Sequence, residues 1–233
     1  PTCGSPTVCH CDRNKRPFHL MRVTNRISRF HDEKGNRVDV RGMMYAPLAF
    51  ATAVLRVVFG SRPRQPTISY RARTVIDGLL DSTSRVAEFG SGMSTPWLAG
   101  RCGFLLSLEN DEEWHRKVSA MIATGDFGHV QYELRTPDSF SDLSGFPDGS
   151  FDFILIDGWD RHGCVVNALP KLRSGGWVYC DNSDKDMTRP DGDLRRAEEA
   201  LLEAVRESEG TIRYFVDFSP TNFFVEQGLL VGI

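Results

Sequence analysis

The chain has 233 residues, 40% of them hydrophobic, with 28 Lys/Arg against 31 Asp/Glu and a formal net charge of −3. That balance is close to the globular average and excludes a chain too polar to bury a core; it suits one large α/β domain with an extension. The near-neutral total hides a division, with fifteen Lys/Arg against six Asp/Glu up to Arg85 and thirteen against twenty-five beyond it.

A basic first part beside an acidic domain suggests nucleic acid, an anionic membrane surface, or packing against the acidic domain itself. The arginines are scattered and lack interleaved aromatics, which favours the last. Residues 1–41 are polar and read as loose structure with one short helix around His19 to Phe30. Cys3, Cys9 and Cys11 crowd there with His10 and His19. They lack the paired C-x-x-C spacing of a zinc site, so a disordered leader is expected. The other cysteines, Cys102, Cys164 and Cys180, read as small buried apolar residues. Nothing resembles a secretory signal, and a reduced, cytoplasmic protein is the expectation.

Residues 42–60 are the most apolar stretch, and a helix over 43–59 is predicted. Arg56 lies inside it and Pro47 near its start, so a helix on the core or roofing the active site is favoured over membrane contact. Arg62-Pro63-Arg64-Gln65-Pro66 reads as a linker. The domain proper is placed at 68–233, with 1–67 as the extension. A helical face follows from Ser69 to Leu80. Strands are predicted at Val86 to Phe89, Phe104 to Glu109, Val130 to Leu134, Phe151 to Asp157 and Trp177 to Asp181. Helices alternate with them, through about Ala123, from about His162 to Leu172, and from Asp193 to Ser208. Two closing runs, Thr211 to Phe218 and Phe223 to Val231, leave no room for a helix between them and read as an antiparallel hairpin.

Between the first strand and the next helix stands Glu88-Phe89-Gly90-Ser91-Gly92-Met93-Ser94-Thr95. Gly90 and Gly92 free the turn of Cβ atoms, Ser91 adds a hydroxyl, and Ser94 and Thr95 place two more beside the helix start. A dinucleotide fingerprint would have a third glycine where Thr95 stands, which opposes an NAD-dependent oxidoreductase. A carboxylate at Glu88 would repel a pyrophosphate and attract the α-ammonium of a methionine moiety. Glu-x-Gly-x-Gly resembles the first motif of class I S-adenosylmethionine (SAM)-dependent methyltransferases. The resemblance covers about Ile68 to the C-terminus. It implies a Rossmann-like, doubly wound α/β fold with a seven-stranded, mostly parallel sheet of order 3-2-1-4-5-7-6.

Ligands of open α/β sheets sit beyond the carboxyl ends of the strands. By position in the family, Glu109 would accept the ribose hydroxyls, and Asp138 is placed to reach the adenine amine. Asp157, Asp181 and Asn182 converge from adjacent strand ends as an all-oxygen set suited to Mg²⁺. Their segments resemble the metal-binding segments of catechol-type O-methyltransferases. Asp157 is also a candidate cofactor contact and catalytic group. The family's general-base lysine is replaced by Asp160, which leaves Asp160 or His162 to take the proton and puts catechol itself in doubt. The leading expectation is metal-assisted O-methylation of a small hydroxylated acceptor. Metal-free N- or C-methylation and a non-catalytic SAM-binding module are the alternatives. Nucleic acid is disfavoured as acceptor because the site face is acidic.

Overall fold

The computed structural model describes residues 26–233; the predicted helix around His19 and the N-terminal cysteine cluster fall mostly or wholly outside them. Seven strands form one sheet in the order β3-β2-β1-β4-β5-β7-β6, where β1 is Arg85–Phe89, β2 Phe104–Glu109, β3 Val130–Leu134, β4 Phe151–Ile156, β5 Leu172–Cys180, β6 Thr211–Phe218 and β7 Val225–Gly232. β1 to β5 pair in parallel, and β7 runs antiparallel to both β5 and β6. The order and the closing hairpin are those the sequence implied.

Period-two alternation along the strands divides the core between the two sheet faces. Ala87, Phe89, Leu106, Leu108, Ile154 and Ile156 meet Cys164, Val165, Leu194 and Leu201 of two helices, α6 (Arg161–Ala168) and α7 (Asp193–Ser208). Val86, Leu105, Phe153 and Leu155 turn the other way, onto Ile68, Ala72 and Ile76 and onto Trp97 and Leu98. These come from and beside α3 (Tyr70–Asp77) and α4 (Ser94–Ala99); the remaining helix of this half, α5 (Glu112–Ile122), follows β2. The boundaries between β4 and β5 differ most from expectation. The helix after β4 ends at Ala168 in a short 3-10 turn over Leu169–Lys171, because Pro170 cannot donate to a continuing helix. β5 then starts at Leu172, and Gly175-Gly176 lies inside the strand, where Gly175 takes φ +75° beside a register shift against β4.

The apolar segment forms α1 (Val40–Met43), capped by Asp39, and α2 (Ala46–Phe59), which starts later than predicted with Pro47 in its first turn. No helix among the described residues is long and apolar enough to cross a membrane. Residues 26–39 lie against the acidic domain: Arg26 faces Asp184 and Glu226 at 3.7 and 3.8 Å, and Lys34 bonds Glu198 at 2.5 Å.

Candidate functional site

β1 ends in a turn that could hold no larger residue than glycine at position 90. Gly90 has φ +89°, and a Cβ there would lie 2.6 Å from the main-chain oxygen of Asp157. The glycine turn is thus pressed onto the end of β4, where Asp157 donates its N–H to Phe89 O at 2.8 Å. Glu88, fully buried, points into this corner. Its Oε2 accepts from Thr95 Oγ1 at 2.7 Å and Ser107 Oγ at 2.6 Å, while its Oε1 is buried without a partner. Burial pushes the Glu88 carboxyl up to about 7, against the pull of the hydroxyls around it. An unpartnered buried acceptor is costly unless something donates to it, and a ligand ammonium is a donor of the right sign.

Thr95 is completely buried, and its hydroxyl also accepts from Gly92 N at 3.1 Å. It therefore fastens the turn to Glu88 from within, and Ser94 lies buried beside it. Ser91 reaches the other way: its N–H and hydroxyl donate to Glu109 Oε2 at 3.1 and 2.6 Å. Glu109 Oε1 accepts from the N–H groups of Asn110 and Asp111, both at 2.9 Å. All four lone-pair positions of that carboxylate are filled, so a ribose diol would have to displace Ser91. Two residues that the sequence did not single out hold this corner: Tyr132 Oη lies 2.7 Å from Ser91 Oγ, and Trp114 Nε1 donates to Ser91 O at 2.7 Å. Asp138 sits exposed in the 3-10 turn after β3, open at the rim.

The strand tips of β4 and β5 carry the surprise. The oxygens expected to surround a divalent ion surround the guanidinium of Arg161 instead. Arg161 Nη2 donates to Asp157 Oδ1 at 2.8 Å and stands 3.5 Å from Asn182 Oδ1; Nη1 bonds the main-chain oxygen of Asp181, and Nε donates to Gly158 O at 3.2 Å. The Asp181 carboxylate turns back into the core and accepts from Tyr179 Oη at 3.0 Å. Asn182, held at φ +58°, donates to Glu226 Oε1 at 3.2 Å. Burial pushes the Asp157 carboxyl up while the charge of Arg161 pulls it down; burial and the charges of Asp157 and Glu226 push Asp181 well above the ordinary carboxylate range. As they stand, these residues do not fit a metal ion, because a fixed organic cation takes up their oxygens. Among the described residues no three His, Cys, Asp or Glu side chains group as a metal site.

Asp160 occupies the place of the expected base, but its carboxylate caps α6: Oδ1 accepts from Gly163 N at 3.2 Å with the backbone at φ +46°. His162 lies in the first turn of α6, where its N–H and that of Arg161 donate to Asp193, both at 2.9 Å. The missed anchor, Asp193, thus begins α7 and grips the start of α6. A cavity of about 380 Å³ adjoins these residues, lined by Trp159, Asp160, Arg189, Asp193 and Arg196.

Comparison with known families and structures bears on this arrangement. Residues 87–183, from within β1 to just past Asn182, match a family model described as a methyltransferase domain. That stretch is similar to a methyltransferase domain, and the sheet around it has the order of the class I, SAM-dependent type. An O-methyltransferase from Bacillus cereus, in complex with S-adenosylhomocysteine (SAH), superposes on this chain with a TM-score of 0.59 at 17% identity, over 83% of this chain and 96% of that one. A Staphylococcus aureus structure described as a candidate caffeoyl-CoA O-methyltransferase gives 0.57 at 16% identity, over 84% and 99%. An rRNA methylase from Streptococcus thermophilus gives 0.53 at 16% identity, over 70% and 94%. At such identities the likeness is one of fold. No curated protein matches in sequence.

Proposed function

We propose that this methyltransferase moves the methyl group of SAM to an oxygen of a small acceptor that is held by the Arg161 guanidinium in place of a metal ion. The observation that carries the reading is the position of that guanidinium, between Asp157 and the Asp181-Asn182 segment, at the strand tips beside the Gly90 turn. SAM, when bound, supplies an electrophilic methyl group on a sulfonium. Glu88 would take the ammonium on its unpartnered Oε1, Glu109 would take the ribose hydroxyls once Ser91 releases it, and Asp138 would meet the adenine edge. The glycines at 90 and 92 let the backbone come close.

Arg161 stays charged at any working pH, and with four of its five N–H groups engaged by Gly158, Asp181, Asp157 and Asn182 it keeps one, on Nη1, for an acceptor oxygen. An acceptor oxygen bearing negative charge is drawn there, whereas an ammonium is repelled. Holding that oxygen still against the methyl is most of what such a transfer requires. Asp157 is paired and Asp160 caps a helix, so the proton of a neutral acceptor falls to His162. The cavity beside Trp159 and Arg189 has room for the rest of the acceptor. The O-methyltransferases of similar fold support oxygen as the receiving atom.

Calorimetry with SAH on the wild type and on Glu109→Ala tests the cofactor half, and the variant is expected to bind about tenfold more weakly, as befits hydrogen bonds to a charged group. Methyl transfer from labelled SAM to phenols, carboxylic acids and amines, with and without EDTA, tests the rest. Oxygen acceptors should be methylated equally in both. No heat with SAH refutes the cofactor; transfer abolished by EDTA refutes the role given to Arg161 and leaves the cofactor standing.

A further inference from the structure

A helix that is apolar all round belongs in a core or in lipid, yet α2 stands largely in water. Its polar side chains are Thr52 and Arg56 alone, and only Ala49 and Thr52 are buried. One side meets the β6–β7 turn: Thr221 N donates to Thr52 Oγ1 at 3.0 Å, Arg56 Nη1 donates to Asn222 Oδ1 at 3.0 Å, and Phe50 meets Phe223 edge-on at 5.2 Å. The opposite side leaves Val57 82%, Val58 63% and Phe59 71% exposed, with Leu48, Val54 and Leu55 beside them and Met44 just before. Phe50, Val54, Val57, Val58 and Phe223 line a concave apolar surface of about 410 Å³ with Arg29 at its edge.

Charge narrows the choice of what covers this face. From Val40 to Ile76 there is no carboxylate, while Arg41, Arg56, Arg62, Arg64, Arg71 and Arg73 all fall in that span. Of these, Arg41, Arg56, Arg62 and Arg64 are exposed, on α2 or at its flanks. A second copy of the chain would bring the same arginines against their own kind. A surface that is apolar beneath and anionic above satisfies both features at once.

We propose that α2 docks this protein on an anionic membrane surface, lying in the interfacial plane with its aliphatic face among the acyl chains and its flanking arginines at lipid phosphates. Its 14 residues make about 21 Å of helix, too short to cross and ample to lie flat. The docking also orients the site. Because β7 runs antiparallel to β5, the turn on which α2 sits belongs to the same sheet edge as Asp181 and Asn182.

Cosedimentation of the full chain with vesicles of phosphatidylcholine alone, or of phosphatidylcholine with phosphatidylglycerol, tests this. The expected result is binding to the anionic vesicles only, reversed by high salt. Val57→Glu with Val58→Glu should abolish it without moving the thermal melt, since both side chains are exposed. Arg62→Gln and Arg64→Gln should each weaken it roughly fivefold. No binding to either vesicle overturns the proposal. So does a dimer in analytical ultracentrifugation that Val57→Glu disperses, which would make the face a contact between copies. Binding to duplex DNA that outcompetes the vesicles and ignores Val57→Glu overturns it too.

Discussion

Nη2 of Arg161 lies 2.8 Å from Oδ1 of Asp157, four residues earlier, with 12% and 27% of the two side chains exposed. A strand end and a helix start are thereby joined by an ion pair at the place where the acceptor would enter. Replacing Arg161 with Met would leave Asp157, the Asp181 main-chain oxygen and Asn182 facing one another with no cation between them. Stability should fall by about 2 kcal/mol, less than the loss of a fully buried pair because Asp157 retains some solvent. More telling, the variant should gain Mn²⁺ binding, visible by electron paramagnetic resonance, that the wild type lacks. Wild-type binding of Mn²⁺ that depends on Asp157 would show that the guanidinium yields its place to a metal.

The Glu88 carboxyl makes a pH-dependent prediction in two parts. Its pKa rises from 4.5 to about 7 in the folded, ligand-free protein, so the fold binds that proton more tightly than the unfolded chain does. The associated stability is fully present below pH 4.5 and is lost as pH climbs through about 7, a change of about 3 kcal/mol. Ligand binding runs the other way, because only the ionised carboxylate attracts an ammonium. SAH affinity should therefore increase from pH 6 to pH 8, with proton release detectable by calorimetry in buffers of different ionisation enthalpy. Glu88→Gln should flatten the stability profile, melt later than wild type at pH 8, and bind SAH weakly at every pH. A variant that binds SAH as well as the wild type across the range would remove Glu88 from the cofactor site.

The sheet was legible because its strands announce themselves by apolar runs ending in glycine or acid, as in Val86 to Gly90 and Phe151 to Asp157. The start of β5 was hidden, since Gly175-Gly176 has the composition of a turn and only the register shift against β4 tells otherwise. Glu88, Glu109, Asp157 and Asn182 were placed at the strand tips by reasoning on strand ends alone. What they face there was not legible. Arg161 follows directly on Asp160, which caps α6 at φ +46°, a backbone state that composition does not reveal. Asp181 misled for a related reason: its side chain follows the strand into the core toward Tyr179, and only its main-chain oxygen reaches the site. The exposure of α2 was equally hidden, because an apolar segment reads as buried whatever covers it.

The close approach of the first turn to β4 makes Gly90 a test of how the cofactor site is built. Alanine there would meet Asp157 O and Gly158 Cα, each at 2.6 Å, in a backbone conformation that L side chains seldom adopt. Gly90→Ala should cost about 1–3 kcal/mol in strain alone, and SAH affinity should fall with it as the turn lifts from β4. Gly92→Ala is the control, since its nearest neighbour is Ser94 Oγ at 3.8 Å. Urea unfolding of both variants checks the difference. Equal stability would mean that the turn is looser than its contacts imply.

Asp160 separates a structural part from a chemical one. Its carboxylate caps α6 through Gly163 N, and removing an N-cap typically costs about 1 kcal/mol. Asp160→Asn keeps both the capping oxygen and a side chain tolerant of positive φ, so the fold and the position of Arg161 should survive. If Asp160 only caps, methyl transfer by Asp160→Asn stays within about twofold of wild type. Were Asp160 the base, the rate would drop by about a hundredfold or more, as losing proton transfer demands. His162→Asn makes the reciprocal measurement: transfer to neutral acceptors should fall by about a hundredfold or more, and transfer to acceptors already ionised, such as carboxylic acids, should stay within about twofold.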